Sequence, residues 1–199
     1  MTNKRNLLNE NIPENGIYIT GNTVIDAIAT TVREDYCFEN PLLRDLDYKN
    51  CRIIAVTAHR RENLGEPLRN ICRALKRIVD AYEDVRIVYP VHLNPVVQET
   101  AREILGNHPS VFLTDPVSMQ DMHNLMSRSY MVMTDSGGLQ EEAPALGKPV
   151  LVLCYNEPLA VKLAATMAAK GLSDRVHCVH FHKWARAQLV AYGQSLPAN

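Results

Sequence analysis

Apolar residues along this chain change period repeatedly. Short apolar runs occur at Cys51 to Val56, Val85 to Val91, Val111 to Thr114, Tyr130 to Met133 and Pro149 to Leu153. Their length and β-branched content predict strands. Between them the period lengthens. From Glu66 to Tyr82, residues Leu68, Ile71, Cys72, Leu75, Ile78, Val79 and Tyr82 fall on one helical face, leaving Arg69, Arg73, Lys76 and Arg77 as a solvated face. Asn94 and Pro95 read as N-cap and N1 proline of a helix to about Leu105, and another helix spans Met119 to Arg128. Upstream, the pattern predicts a short helix from Lys4 to Asn11, a short strand from Ile17 to Thr20, and a helix from about Val24 to Glu34 capped by Thr23. Tyr36 to Asn50, with Pro41 and alternating charges, reads as an irregular connection. Strand–helix alternation of this kind predicts an α/β fold: a doubly wound, mostly parallel sheet in a three-layer, Rossmann-like arrangement.

One corner stands out. Tyr130-Met-Val-Met133 runs directly into Thr134-Asp-Ser-Gly-Gly-Leu-Gln-Glu-Glu142, which reads as strand, tight turn and helix start. Gly137 and Gly138 carry no Cβ, so a ligand can approach the main chain there, and the first helical N–H groups favour an anion. Glu141 and Glu142 follow within about one helical turn, the right reach for a carboxylate to bond sugar hydroxyls while amides hold phosphate. A nucleotide-diphosphate site is the chemistry that combination implies.

Ligands of doubly wound sheets bind at the carboxyl ends of the strands. Three polar groups follow strands here: Thr57 to Asn63, His92 to Asn94, and Asp135 to Gly138. The first contributes His59, and Arg60 and Arg61 offer forked guanidinium contacts to phosphate. Composition narrows the rest. The 199 residues are 46% hydrophobic and 22% charged, enough for one good core, and a formal net charge of −1 gives no electrostatic reason to expect nucleic acid or an anionic membrane as partner. No apolar run reaches the roughly 18 residues of a membrane span, and the first residues lack a signal peptide's apolar segment, so a cytoplasmic location is expected. Five widely spaced cysteines, Cys37, Cys51, Cys72, Cys154 and Cys178, suggest reduced and mostly buried thiols rather than disulfides or structural zinc.

Four stretches, taken together and in order, resemble a known family: Thr20-Gly-Asn-Thr-Val-Ile-Asp-Ala27, Thr57-Ala-His-Arg-Arg-Glu-Asn63, Tyr89-Pro-Val-His-Leu-Asn-Pro95, and Thr134 to Pro144 with Leu146-Gly-Lys-Pro-Val150. The family is the non-hydrolysing UDP-N-acetylglucosamine 2-epimerases, and the resemblance covers roughly residues 1–153. It implies one half of a glycosyltransferase-B-type fold and a bacterial cytoplasmic enzyme. The implied reaction interconverts UDP-GlcNAc and UDP-ManNAc by elimination and re-addition of UDP, without nicotinamide, metal or other cofactor. By the same resemblance Ser136, Gly137 and Gly138 hold the diphosphate, Glu142 holds the ribose hydroxyls, and His59 contacts the diphosphate and assists departure of UDP. Arg60 and His92 match positions lining a second, regulatory UDP-GlcNAc site in some bacterial members, and Arg60 also counts among the substrate contacts. Met122 stands where the family has an aromatic near the base, and its thioether can cover a uracil ring.

The sequence departs from the family in two further ways. The resemblance starts in mid-family, so the amino-terminal domain, with the carboxylates proposed to move the C2 proton, is expected to be missing; the expected partners are that domain acting in trans, or a second copy of this chain in a homodimer. After residue 153 the family continues with a Thr-Glu-Arg-Pro-Glu motif whose arginine binds the nucleotide sugar, whereas this chain reads Cys154-Tyr-Asn-Glu-Pro-Leu159. Residues 154–199 are thus expected to form an atypical tail packed on the domain, with a helix at 158–170, a strand from Val176 to Phe181 added to the sheet edge, and a closing helix. Leu153 to Ala160 and Val176 to Ala185 resemble a segment of superfamily I DNA helicases. With no G-x-x-x-x-G-K-[ST] loop, no helicase ATPase is expected. His177, Cys178, His180 and His182 supply at most three same-face ligands on a strand, so no metal is expected. Two function classes follow: the nucleotide-binding half of an epimerase, or a non-catalytic, truncated or recombined domain whose strands persist without a role or whose tail contacts nucleic acid.

Overall fold

The computed structural model describes residues 2–154 and the strand 176–180. Five runs of the sequence pattern form β1 (Arg52–Thr57), β2 (Val85–Pro90), β3 (Val111–Thr114), β4 (Met131–Thr134) and β5 (Val150–Cys154). With β6 (Val176–His180) they make one sheet in the order β3-β2-β1-β4-β5-β6, every neighbouring pair parallel. β6 therefore joins the edge beside β5, as its strand character predicts. The helix expected at 158–170 and the closing helix lie outside the described residues, as do the side chains of the His177, Cys178, His180 and His182 group.

Parallel strands need crossovers, and the helices supply them: α4 (Glu66–Ala81), α5 (Pro95–Leu105), α6 (Met119–Arg128) and α7 (Leu139–Ala145). Side chains alternate across a strand, so β1 feeds both faces at once. Ile54 and Val56 join Leu68, Ile71 and Leu75 of α4 and Val97, Ala101 and Leu105 of α5 in one core. Ile53 and Ala55 join Leu125 and Met126 of α6, Ala143 of α7, and Phe38 and Leu43 in the other. Leu43, Leu68, Leu75 and Leu105 are fully buried, each stabilising the fold by roughly 1.5–3 kcal/mol relative to an exposed side chain. This is the doubly wound, three-layer arrangement the alternation predicts.

Ahead of the sheet lie α1 (Thr2–Asn9), α2 (Thr23–Thr31) and α3 (Pro41–Arg44). Three expectations change here. The cap of α2 is Asn22, whose Oδ1 accepts from the Val24 amide at 3.1 Å, and Thr23 is already helical. Ile17 to Thr20 is not a strand: Tyr18 and Ile19 are 81% and 68% exposed, and no strand among the described residues supplies a ladder. Within the supposedly irregular 36–50 stretch, Asn40 caps α3 over Pro41. Of the three cysteines whose side chains are described, only Cys72 is buried, while Cys37 is exposed. Burial pushes the Cys72 thiol up to about 12, which leaves it protonated and unreactive. No helix among the described residues is long and apolar enough to cross a membrane.

Candidate nucleotide site

The order of the sheet locates the site. From β1 the chain moves outward to β3, then returns to β4 on the opposite side of β1, so the winding reverses between β1 and β4. Helices after β1 and β4 leave the sheet in opposite directions and open a crevice at the carboxyl ends of those strands. The two strands end level, with Thr57 opposite Thr134 and their hydroxyls 2.6 Å apart.

Just beyond them sits Asp135, whose side chain is 0% exposed. One carboxylate oxygen, Oδ2, accepts from the amides of His59 and Arg60, each at 2.8 Å, and from Nδ2 of Asn63 at 2.9 Å. A buried carboxylate needs such donors, and the loop after β1 needs acceptors for its amides. Asp135 therefore latches residues 59–63 against the end of β4. Tyr89 of β2 holds the start of the same loop by donating its hydroxyl to the Ala58 carbonyl. Oδ1 of Asp135 lies 3.3 Å from Nδ1 of His59 without the alignment of a hydrogen bond.

The latch brings the expected residues together. The His59 ring stacks on His92, with centroids 5.1 Å apart and planes 12° from parallel. Arg60 reaches across to the glycine corner, where a Cβ built on Gly137 would stand 3.3 Å from Nη2. Its other nitrogen, Nη1, pairs with Glu62 at 3.3 Å in an exposed contact. Gly138 has ordinary helical dihedrals, φ −66° and ψ −52°, so its lack of a side chain answers to space rather than backbone strain. A Cβ there would meet Oε1 of Glu142 at 2.9 Å. The two glycines thus make room for a guanidinium and a carboxylate of the protein itself, besides any ligand.

Not every amide at the corner is available. The Ser136 amide donates to the Thr134 hydroxyl at 2.9 Å, while those of Gly137 and Gly138 have no acceptor among the described residues. Glu142 is nearly buried, 3.3 Å from Nε2 of His123. Glu141 receives a 2.9 Å hydrogen bond from Nδ2 of Asn22, the same side chain that caps α2. Met122 is half-buried against the core of Phe38 and Leu43. Arg61 is exposed at the outer side of the loop. Sequence reasoning passed over Asn63, His123 and Thr31 and gave Asp135 no separate role. Asn63 and Asp135 stand within the quoted motifs, whereas Thr31 and His123 lie outside all of them.

A parallel, doubly wound sheet with basic, imidazole, amide and carboxylate groups gathered at its switch point defines a Rossmann-like α/β domain with a polar crevice where such folds bind ligands. The chain belongs to the UDP-N-acetylglucosamine 2-epimerase family, which it matches over residues 1–176. A relative from Thermotoga maritima is 60% identical over 169 residues, which is 85% of this chain and 44% of that protein. The UDP-N-acetylglucosamine 2-epimerase of Bacillus subtilis is 53% identical over 150 residues, 75% of this chain and 39% of that protein. Among solved structures, the Neisseria meningitidis UDP-GlcNAc 2-epimerase bound to UDP-GlcNAc superposes with a TM-score of 0.70 at 34% identity, covering 96% of this chain and 51% of that one. The chain thus spans less than half the length of these curated relatives.

Proposed function

We propose that this chain is the nucleotide-binding half of a UDP-N-acetylglucosamine 2-epimerase, holding UDP or UDP-GlcNAc at the β1–β4 crevice. In this reading the free amides of Gly137 and Gly138, the Ser136 hydroxyl and the Arg60 guanidinium hold the diphosphate. Glu142 accepts from the ribose hydroxyls, and Met122 lies near the uracil. His59 contacts the diphosphate and assists its departure by donating a proton or hydrogen bond to the leaving oxygen. Arg60 and His92 also border a second nucleotide-sugar site that regulates the first. No cofactor takes part, the protein works in the cytoplasm, and the carboxylates that move the C2 proton belong to the other half of the enzyme. The observation that carries the reading is the Asp135 latch, which sets His59 and Arg60 beside the Ser136–Gly138 corner in a member of this family.

Two outcomes are expected. UDP titrated into the chain shifts the backbone amides of Gly137 and Gly138 with an affinity of about tens of micromolar to millimolar, the range left when one side of a two-sided clamp is absent. Gly137→Val fills the space beneath Arg60 and weakens that binding at least tenfold, by about 1.4 kcal/mol or more. Equal affinity in wild type and variant overturns the phosphate assignment. Separately, the purified chain alone does not interconvert UDP-GlcNAc and UDP-ManNAc, because the reaction needs positioned acid and base groups at C2. Turnover by the chain alone that disappears in His59→Ala refutes the division of labour.

A further inference from the structure

His123 is 2% exposed, and the function proposed above leaves it without a task. Its imidazole nevertheless bridges two helices. Nδ1 is 2.7 Å from Oγ1 of Thr31, the last residue of α2, and Nε2 is 3.3 Å from Oε2 of Glu142 on α7. The remaining oxygen of Glu142, Oε1, faces the space left by the missing side chain of Gly138.

For a neutral ring the proton count selects one arrangement. A neutral imidazole donates from one nitrogen and accepts at the other, and a threonine hydroxyl has a single proton to give. Three acceptors compete for it: Nδ1 of His123 at 2.7 Å, the Ala27 carbonyl at 3.1 Å and the Ile28 carbonyl at 3.4 Å. If the proton went to a helix carbonyl, Nδ1 would have to carry the ring hydrogen. The lone pair of Nε2 would then face a buried carboxylate oxygen. If Thr31 donates to Nδ1, the shortest of the three contacts, Nε2 carries the hydrogen and donates to Oε2. The second arrangement gives Thr31, His123 and Glu142 partners of the right polarity, the 3.3 Å approach of Nε2 to Oε2 being an ion-pair contact rather than an aligned hydrogen bond, and buried polar groups favour that.

We propose that His123 is a positioning residue for Glu142: Thr31 fixes its tautomer, Nε2–H holds Oε2, and Oε1 is kept beside Gly138 to accept from the vicinal hydroxyls of a ribose. The inference rests on the ribose contact assigned to Glu142 above. A glutamate has three rotatable side-chain bonds, and this arrangement orders them before the ligand arrives. The ring itself touches no ligand.

Two measurements test it. Long-range proton–nitrogen NMR of the His123 ring in the ligand-free chain is expected to show the hydrogen on Nε2, and a hydrogen on Nδ1, alone or as well, overturns the arrangement. Affinities for UDP and its 2′,3′-dideoxy analogue form the second test. Wild type is expected to prefer UDP about tenfold, the effect of a hydrogen bond to a charged acceptor. His123→Leu should bring the two affinities together by weakening UDP alone, and His123→Gln, which keeps an N–H donor, should restore part of the preference. Thr31→Val should move it in the same direction as leucine and decides the matter if His123→Leu does not fold. Folded variants that keep the wild-type preference, or that lose both nucleotides equally, overturn the proposal, as does a wild type that binds both equally. If the wild type binds neither nucleotide, the proposed function fails instead, and the ring tautomer still tests the contact between Thr31, His123 and Glu142.

Discussion

Replacing Asp135 by alanine is expected to destabilise the protein by about 3–5 kcal/mol, the scale of removing one partner from a buried, charged hydrogen-bond group. The carboxylate accepts from two backbone amides and the Asn63 amide, and alanine leaves all three donors without it. The loop from His59 to Asn63 then loses its register with β4, and UDP binding should fall below detection even under conditions where the domain stays folded. Asp135→Asn keeps one acceptor oxygen and the volume, so it should lose less stability. Chemical denaturation of the three proteins and a UDP titration check this. A loss below about 1 kcal/mol for alanine would mean that water replaces the carboxylate and that the loop is held some other way.

Asp121→Ala should have the next largest effect, about 2–4 kcal/mol by the same reasoning. Asp121 is 2% exposed and accepts from the Tyr36 hydroxyl and the amides of Glu39 and Asn40, each at 2.9 Å. Those bonds pin a segment that carries Phe38, whose ring stacks on Tyr48 at 5.7 Å and lies beneath the Arg128 guanidinium at 4.8 Å. In the variant, amide hydrogen exchange at Glu39 and Asn40 should accelerate, and continued protection there contradicts the account. Burial, then the Asp121 carboxylate, raises the Tyr36 phenol above its ordinary value of 10.0. A raised folded pKa contributes stability that is fully present below the unfolded value and is lost as pH climbs through the folded one. The phenol's contribution is therefore intact at neutral pH and disappears only in alkali, and in Asp121→Ala its titration should move back down.

These two aspartates show where sequence reading stops. Asp135 was legible as part of a polar strand end, but its task depends on amides 76 and 75 positions away. Asp121 is an acidic residue in the first turn of α6, and its partners lie 81 to 85 positions upstream. The stretch they hold, Tyr36 to Asn50, read as irregular because no local period runs through it. Its order comes from α6, through Asp121 and Arg128, while Asn124 holds the end of α2 at Thr31 and Arg33. The Ile17 to Thr20 pattern failed for the converse reason. Alternation describes a strand's faces, but a ladder needs a neighbour.

By itself the sequence determined the succession of strands and helices from β1 to β5, the cap formed by Asn94 before Pro95, and the glycine corner after β4. Each of these depends on dihedral preferences, turn chemistry and burial period within a few positions. Only the tertiary structure decided the strand order that puts β1 beside β4, the stacking of His59 on His92, and what occupies the space over Gly137 and Gly138. It also decided the links from Asn22 to Glu141 and from Thr31 through His123 to Glu142, which join residues 119 and 92 positions apart in their first contacts. Those contacts depend on how helices from distant parts of the chain settle on one sheet, and no local pattern encodes that placement.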